Sequence, residues 1–214
     1  MSETTGLLKE PWAHFERQRG AGKFGIWVFL ASEILFFGAL MLTYTVCRID
    51  HPTAFAVAGR ETNIWYGTIN TAILITSSLT MAVASQAAAA GQHFRRLITS
   101  CLAATAMLGL VFLMVKGFEY NEDIAKHLVP GSRFALKETG AQLFYGWYWL
   151  VTGVHAIHLT IGIALVIRLA LLGYFDKLQI DKNPEIEVTG LYWHLVDVIW
   201  IFLYPLIYLP GRVS

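Results

Sequence analysis

Charge is scarce in this chain. Asp, Glu, Lys and Arg make up 14% of its 214 residues, against about 25% in an average soluble domain. Two long stretches, 62–94 and 139–167, have none at all. That excludes an ordinary water-facing surface. No sign of charge dominates either: the net charge of +1 leaves no basic footprint for nucleic acid. Cysteine is nearly absent, with only Cys47 and Cys101. The spans read below put them near opposite membrane faces, and a disulfide needs Cα atoms within about 7 Å. Common enzyme signatures are missing: no P-loop, no GxGxxG after a strand, no CxxCH and no GxSxG. Short alternating segments are missing too, which argues against a β-barrel. The first 23 residues are polar and hold no apolar core of a cleavable signal, so the first span is expected to serve as an uncleaved anchor.

What is present is apolar length. Hydrophobic residues make up 56% of the chain, and its mean hydropathy is +0.52. A helical span needs about 20 mostly apolar residues. Segments 24–47, 65–90, 97–118, 143–173 and 189–209 qualify after a polar segment 1–23. The fold class expected is all-α, an integral membrane bundle of five transmembrane helices over 24–214. The fourth span is the longest and must tilt or project. Trp65, Trp147, Trp149, Trp193 and Trp200 lie near span ends, as an aromatic belt would. The run AVASQAAAAG (82–91) offers a small-residue surface for close helix approach.

Orientation follows from the cations. With the N-terminus cytoplasmic, the inner side collects Lys9, Arg17, Arg19, Lys23, Arg95, Arg96, Lys177 and Lys182. The outer side collects Arg48, Arg60, Lys126, Arg133, Lys137 and Arg212. The excess favours a cytoplasmic N-terminus and a periplasmic C-terminus.

Five ionisable residues lie deep in the spans: Glu33, His155, His158, His194 and Asp197. A charge at the bilayer centre costs about 2.5–3.5 kcal/mol on insertion scales, so these groups are expected to face the bundle and find partners. His155 and His158 share a helix face at i and i+3, as do His194 and Asp197. Glu33 is the only deep acid of the first span, and its natural partner is one of these histidines. Three readings stand side by side: hydrogen bonds between helices, a metal or haem site built on His155, His158, His194 and Glu33, and proton transfer through Glu33 or the His/Asp groups. Asn70, Thr71, Thr76, Ser77 and Ser78 of the second span read as structural hydroxyls and amides.

Several stretches together resemble subunit III of the haem–copper oxidases. They are GIWVFLASEILFFGAL (25–40), NTAILITSSLTMA (70–82), KGFEY (116–120), FYGWYWLVTGVHAIHLTIG (144–162) and YWHLVDVIWIFLYPLIY (192–208). They touch all five spans in order, and Glu33 falls on the single acid of the family's first such helix. The resemblance implies a non-catalytic accessory subunit of a respiratory terminal oxidase, multi-pass in a bacterial inner membrane. It implies no haem and no metal in this chain. Haem and copper would lie in subunit I, with copper in subunit II as well in a cytochrome c oxidase. The implied partners are chiefly subunit I, with subunit II and a subunit IV as further neighbours, and membrane lipids including structural phospholipid; neither nucleic acid nor a soluble substrate is implied. The role implied is to stabilise subunit I and support its proton uptake, and Glu33 corresponds to a reactive buried carboxyl. The family's long form has seven helices, and its first two have no counterpart here. Service in a quinol oxidase or beside nitric oxide reductase is the alternative, and a small metal-dependent membrane enzyme the more remote one.

Overall fold

The computed structural model describes residues 15–138, 140–176 and 185–212, without the side chains of 15–23 and 92. Helices α1 (Phe15–Asp50), α2 (Pro52–Glu61), α3 (Ile64–Ala89), α4 (Arg95–Ala125), α5 (Ala141–Tyr174) and α6 (Glu185–Tyr208) follow one another in the chain. Five of them contain segments long and apolar enough to cross a membrane: Phe24–Asp50, Ile64–Ala89, Arg95–Ala125, Ala141–Tyr174 and Glu185–Tyr208. Among the described residues there is no strand. The polar N-terminal segment falls outside the described residues over 1–14, and the backbone of the remainder continues α1. Lys9, Lys177 and Lys182 likewise lie outside them.

Helix order sets the packing. A short link holding Gly91, at φ +107°, turns α3 back onto α4 as a close antiparallel neighbour. The α4 helix also packs on α5, and α6 closes the bundle against α3 and α5. Only 11% of the apolar window of α1 is buried, against 50% for α6, so α1 leans on the rim of the bundle. It touches α5, α6 and α2.

Two features differ from the sequence reading. The third span does not stop at residue 118; α4 runs to Ala125 and shortens the irregular connection that follows. Lys116, Glu119 and Asp123, which read as a membrane exit, face inward and meet partners described below. Residues 52–61, between the first two spans, form an extra helix, α2. Pro52 sits in its first turn, where the missing N–H costs nothing. Ala54, Phe55, Ala58 and Gly59 turn inward from it.

The core is filled by aromatics whose polar ends are placed. Trp193 donates from Nε1 to Ser77 Oγ at 3.2 Å. Trp200 donates to Thr71 Oγ1 at 3.1 Å. Both hydroxyls in turn donate to carbonyls of their own helix, Leu74 and Gly67, each at 2.8 Å. In lipid an indole N–H has no water to fall back on, so these hydroxyls are what allow two large tryptophans to be fully buried. Of the small-residue run, Ala84 and Ala87 are buried, and Ala82, Ala87 and Ala90 line outward grooves.

Candidate functional site

The deep polar residues sit in separate places. Glu33 on α1 meets His158 on α5, with Oε2 3.0 Å from Nε2. The other ring nitrogen, Nδ1, lies 2.9 Å from the Val154 carbonyl. A carbonyl only accepts, so Nδ1 carries a proton there. Glu33 Oε2 makes no hydrogen bond of ordinary geometry, so the contact between the two side chains is electrostatic. Tyr192 on α6 donates to the His158 carbonyl at 2.9 Å, tying the third helix to the same point. Phe37 stands edge-on to the His158 ring, 5.4 Å between centroids.

His155, one turn earlier, points elsewhere. It is buried, and neither ring nitrogen has a hydrogen-bond partner. Its ring packs against Trp200 and Phe112, with centroids 5.1 and 5.8 Å away. His194 turns toward α3, where Nδ1 lies 2.8 Å from Ser78 Oγ. Asp197 shares the helix face of His194 but makes no hydrogen bond to it. Ser78 Oγ pairs with His194 Nδ1 and also lies close to the Asp197 carboxyl, though neither Asp197 oxygen makes a hydrogen bond of ordinary geometry. The structure thus joins Glu33 to His158 and brings no hydrogen bond between His155, His194 and Asp197. Among the described residues, no group of three or more His, Cys, Asp or Glu side chains could hold a metal ion.

A denser polar centre lies toward the other end of α4, and sequence reasoning missed it. Lys116 is 2% exposed and Glu119 1%. The Lys116 ammonium donates to Glu119 Oε2 at 2.9 Å, Tyr148 Oη at 3.1 Å and Tyr208 Oη at 3.2 Å. Tyr208 donates to Glu119 Oε1 at 2.7 Å, and Tyr148 to Asp123 Oδ2 at 2.7 Å. The same ammonium lies 4.6 Å from the centre of the Tyr148 ring, a cation–π contact. This network binds α4, α5 and α6 into one block. The signal was in the spacing: 116, 119 and 123 fall on one helix face if the helix continues past 118.

Beyond the membrane helices, Lys126 donates to Glu122 Oε1 at 2.7 Å, which holds its ammonium above the ordinary lysine range. Arg212 reaches across from the end of α6 to the Gly59, Arg60 and Thr62 carbonyls at the end of α2. Arg60 returns the contact to Gly211 O at 2.6 Å.

Five apolar helices packed into one bundle, with ionisable side chains meeting at the helix seams, define a polytopic α-helical membrane protein. The chain belongs to the cytochrome c oxidase subunit III family, whose model matches residues 12–212. It is 32% identical to cytochrome c oxidase subunit 3 of Thermostichus vulcanus, over 88% of this chain and 87% of that one. It is 29% identical to cytochrome c oxidase subunit 3 of Alkalihalophilus pseudofirmus, over 93% of both chains. It is also 30% identical to a probable quinol oxidase subunit 3 of Staphylococcus saprophyticus, over 89% of this chain and 90% of that one.

Proposed function

We propose that this chain is the accessory subunit III of a respiratory haem–copper terminal oxidase. It packs against subunit I in a bacterial inner membrane, with subunit II and a subunit IV as further neighbours. Haem and copper reside in subunit I, with copper in subunit II as well in a cytochrome c oxidase; this chain contributes rigidity, bound lipid and support for proton uptake. Its N-terminus faces the cytoplasm and its C-terminus the periplasm. The observation that carries the reading is a family match that runs through all five spanning helices. The Glu33–His158 pair supports the proton role, because it sets a carboxyl and an imidazole 3.0 Å apart at a partly accessible seam between α1 and α5. A quinol-fed complex is the second reading, favoured by the likeness to a probable quinol oxidase subunit 3. Affinity purification of the tagged chain from native membranes tests both. The expected result is co-purification of a haem-bearing core whose oxidase activity accepts cytochrome c or quinol. The isolated chain should carry no stoichiometric haem or metal; finding either there would sink the proposal.

A further inference from the structure

Between the middles of α3 and α6 lies an open groove of about 440 Å³. Its lips are apolar and exposed: Ile75 and Leu79 on α3, Val198 and Ile201 on α6. Its lining includes Asp197 and His194. Asp197 is 3% exposed, and neither carboxyl oxygen has a hydrogen-bond partner. A buried carboxyl without a partner is costly, and more so in lipid, where no water can stand in.

Depth decides what can supply the missing partner. Asp197 is at the middle of α6, between Glu185 and Tyr208. At a helical rise of 1.5 Å per residue it lies about 17 Å along the helix from either end. A hydrocarbon core about 30 Å thick keeps phospholipid headgroups out of reach of that level. Acyl chains reach it but carry no donor. A helix crossing the membrane beside α3 and α6 satisfies both demands, since its apolar side chains cover the lips and one polar side chain meets the carboxyl. Paired polar groups are how membrane helices fix their register.

We propose that this groove docks a transmembrane helix of another subunit of the complex, presenting a hydrogen-bond-donating side chain to Asp197. The inference rests on the oxidase-subunit reading for the existence of that partner, and adds the surface and the residue. His194 helps form the seat: Ser78 holds its Nδ1, so its ring orientation is fixed along the groove wall.

The test uses the whole complex, purified through a tag on this chain. A photoreactive benzoylphenylalanine replaces Leu79 or Ile201 in separate variants, and adducts are mapped by mass spectrometry. The expected adduct is a transmembrane segment of a different subunit, the same one from both positions. Adducts confined to lipid, or to a second copy of this chain, overturn the proposal. Asp197→Leu is expected to lower retention of the neighbouring subunit in detergent about threefold to tenfold, the range measured for hydrogen bonds between membrane helices. Asp197→Asn, which still accepts a hydrogen bond, should keep most of that retention. Wild-type retention in Asp197→Leu would also overturn the proposal. The crosslinking arm leaves Asp197 in place, so misfolding of that variant does not decide the outcome. The haem spectrum of the same material judges the functional reading separately. Haem present with lipid adducts alone rejects only the docking surface; a foreign helix captured without haem rejects only the oxidase reading.

Discussion

At the scale of single residues, this interior is governed by where protons and charges rest. Glu33 and His158 face each other 3.0 Å apart across the seam of α1 and α5. Glu33→Gln keeps the shape and removes the exchangeable proton. In the assembled complex, the expected outcome is that oxygen consumption falls away at lower pH than in the wild type, because proton supply becomes limiting sooner on the alkaline side. Steady-state rates across pH check it; superimposable profiles would assign Glu33 to packing alone. The Lys116–Glu119 pair makes a stability prediction. Glu119→Ala strands a buried ammonium and is expected to cost about 3–5 kcal/mol, read as loss of thermal stability in detergent. Lys116→Met combined with Glu119→Met should recover much of that loss, since neither charge remains to be compensated. The two sites were not equally legible. Glu33 stood out in the sequence as a single acid in an apolar run, and a histidine partner followed from matching depth. Asp197 did not follow the same logic: its neighbour at i−3, His194, bonds to Ser78 instead. Spacing on one helix says which side chains are neighbours, not which partner on another helix outcompetes them.

At the scale of helices, close approach depends on residues without side chains. A Cβ on Gly109 of α4 would sit 2.9 Å from both Ile163 on α5 and Trp193 on α6. Gly109→Ala is therefore expected to destabilise the bundle by about 1–3 kcal/mol through overpacking. Gly117 lies on the same helix with nothing within 4 Å of its hypothetical Cβ. Gly117→Ala should be neutral or stabilise by about 0.5–1 kcal/mol, the helix penalty of glycine. Thermal unfolding of the two variants side by side checks the pair. Four of the spans were legible to within four residues at either end, because hydropathy directly reads the contact with lipid. The end of α4 was not. Hydropathy counts Lys116, Glu119 and Asp123 as polar, whatever they bond to. Once mutually satisfied by Tyr148 and Tyr208, they continue the helix to Ala125. The short α2 escaped for a different reason: ten residues with a modest apolar face fall below any span criterion, and its burial depends on α5 and α6.

At the scale of the whole molecule, the bundle has a firm interior block and a lightly held first helix. The block is α3 to α6, joined by the Lys116 network and by tryptophans held on α3. Among the described residues, polar contacts that hold α1 to it include Trp147 Nε1 to the Leu40 carbonyl at 2.7 Å, Tyr44 to the Leu206 carbonyl at 2.6 Å, and Glu33 to His158. The orientation proposed above has a direct check. With Cys47 and Cys101 replaced by Ala, a cysteine is placed at Val129 or at His93, both exposed and in links at opposite ends of α4. A membrane-impermeant maleimide added to intact spheroplasts should label the Val129→Cys variant and spare the His93→Cys variant. The opposite pattern would invert the topology. Charge bias in the sequence was the only guide here, because a bundle looks equally sound with either end up.

The contacts that join α1 and α2 to the end of α6 also impose an order in time. Tyr44 needs the carbonyl of Leu206, and the carbonyls at the end of α2 need Arg212. During synthesis both early elements must wait, already inserted, until residues 206–212 leave the ribosome. Newly made α1 therefore spends most of translation without its final neighbours, open to chaperoning insertases or to premature capture by other membrane helices.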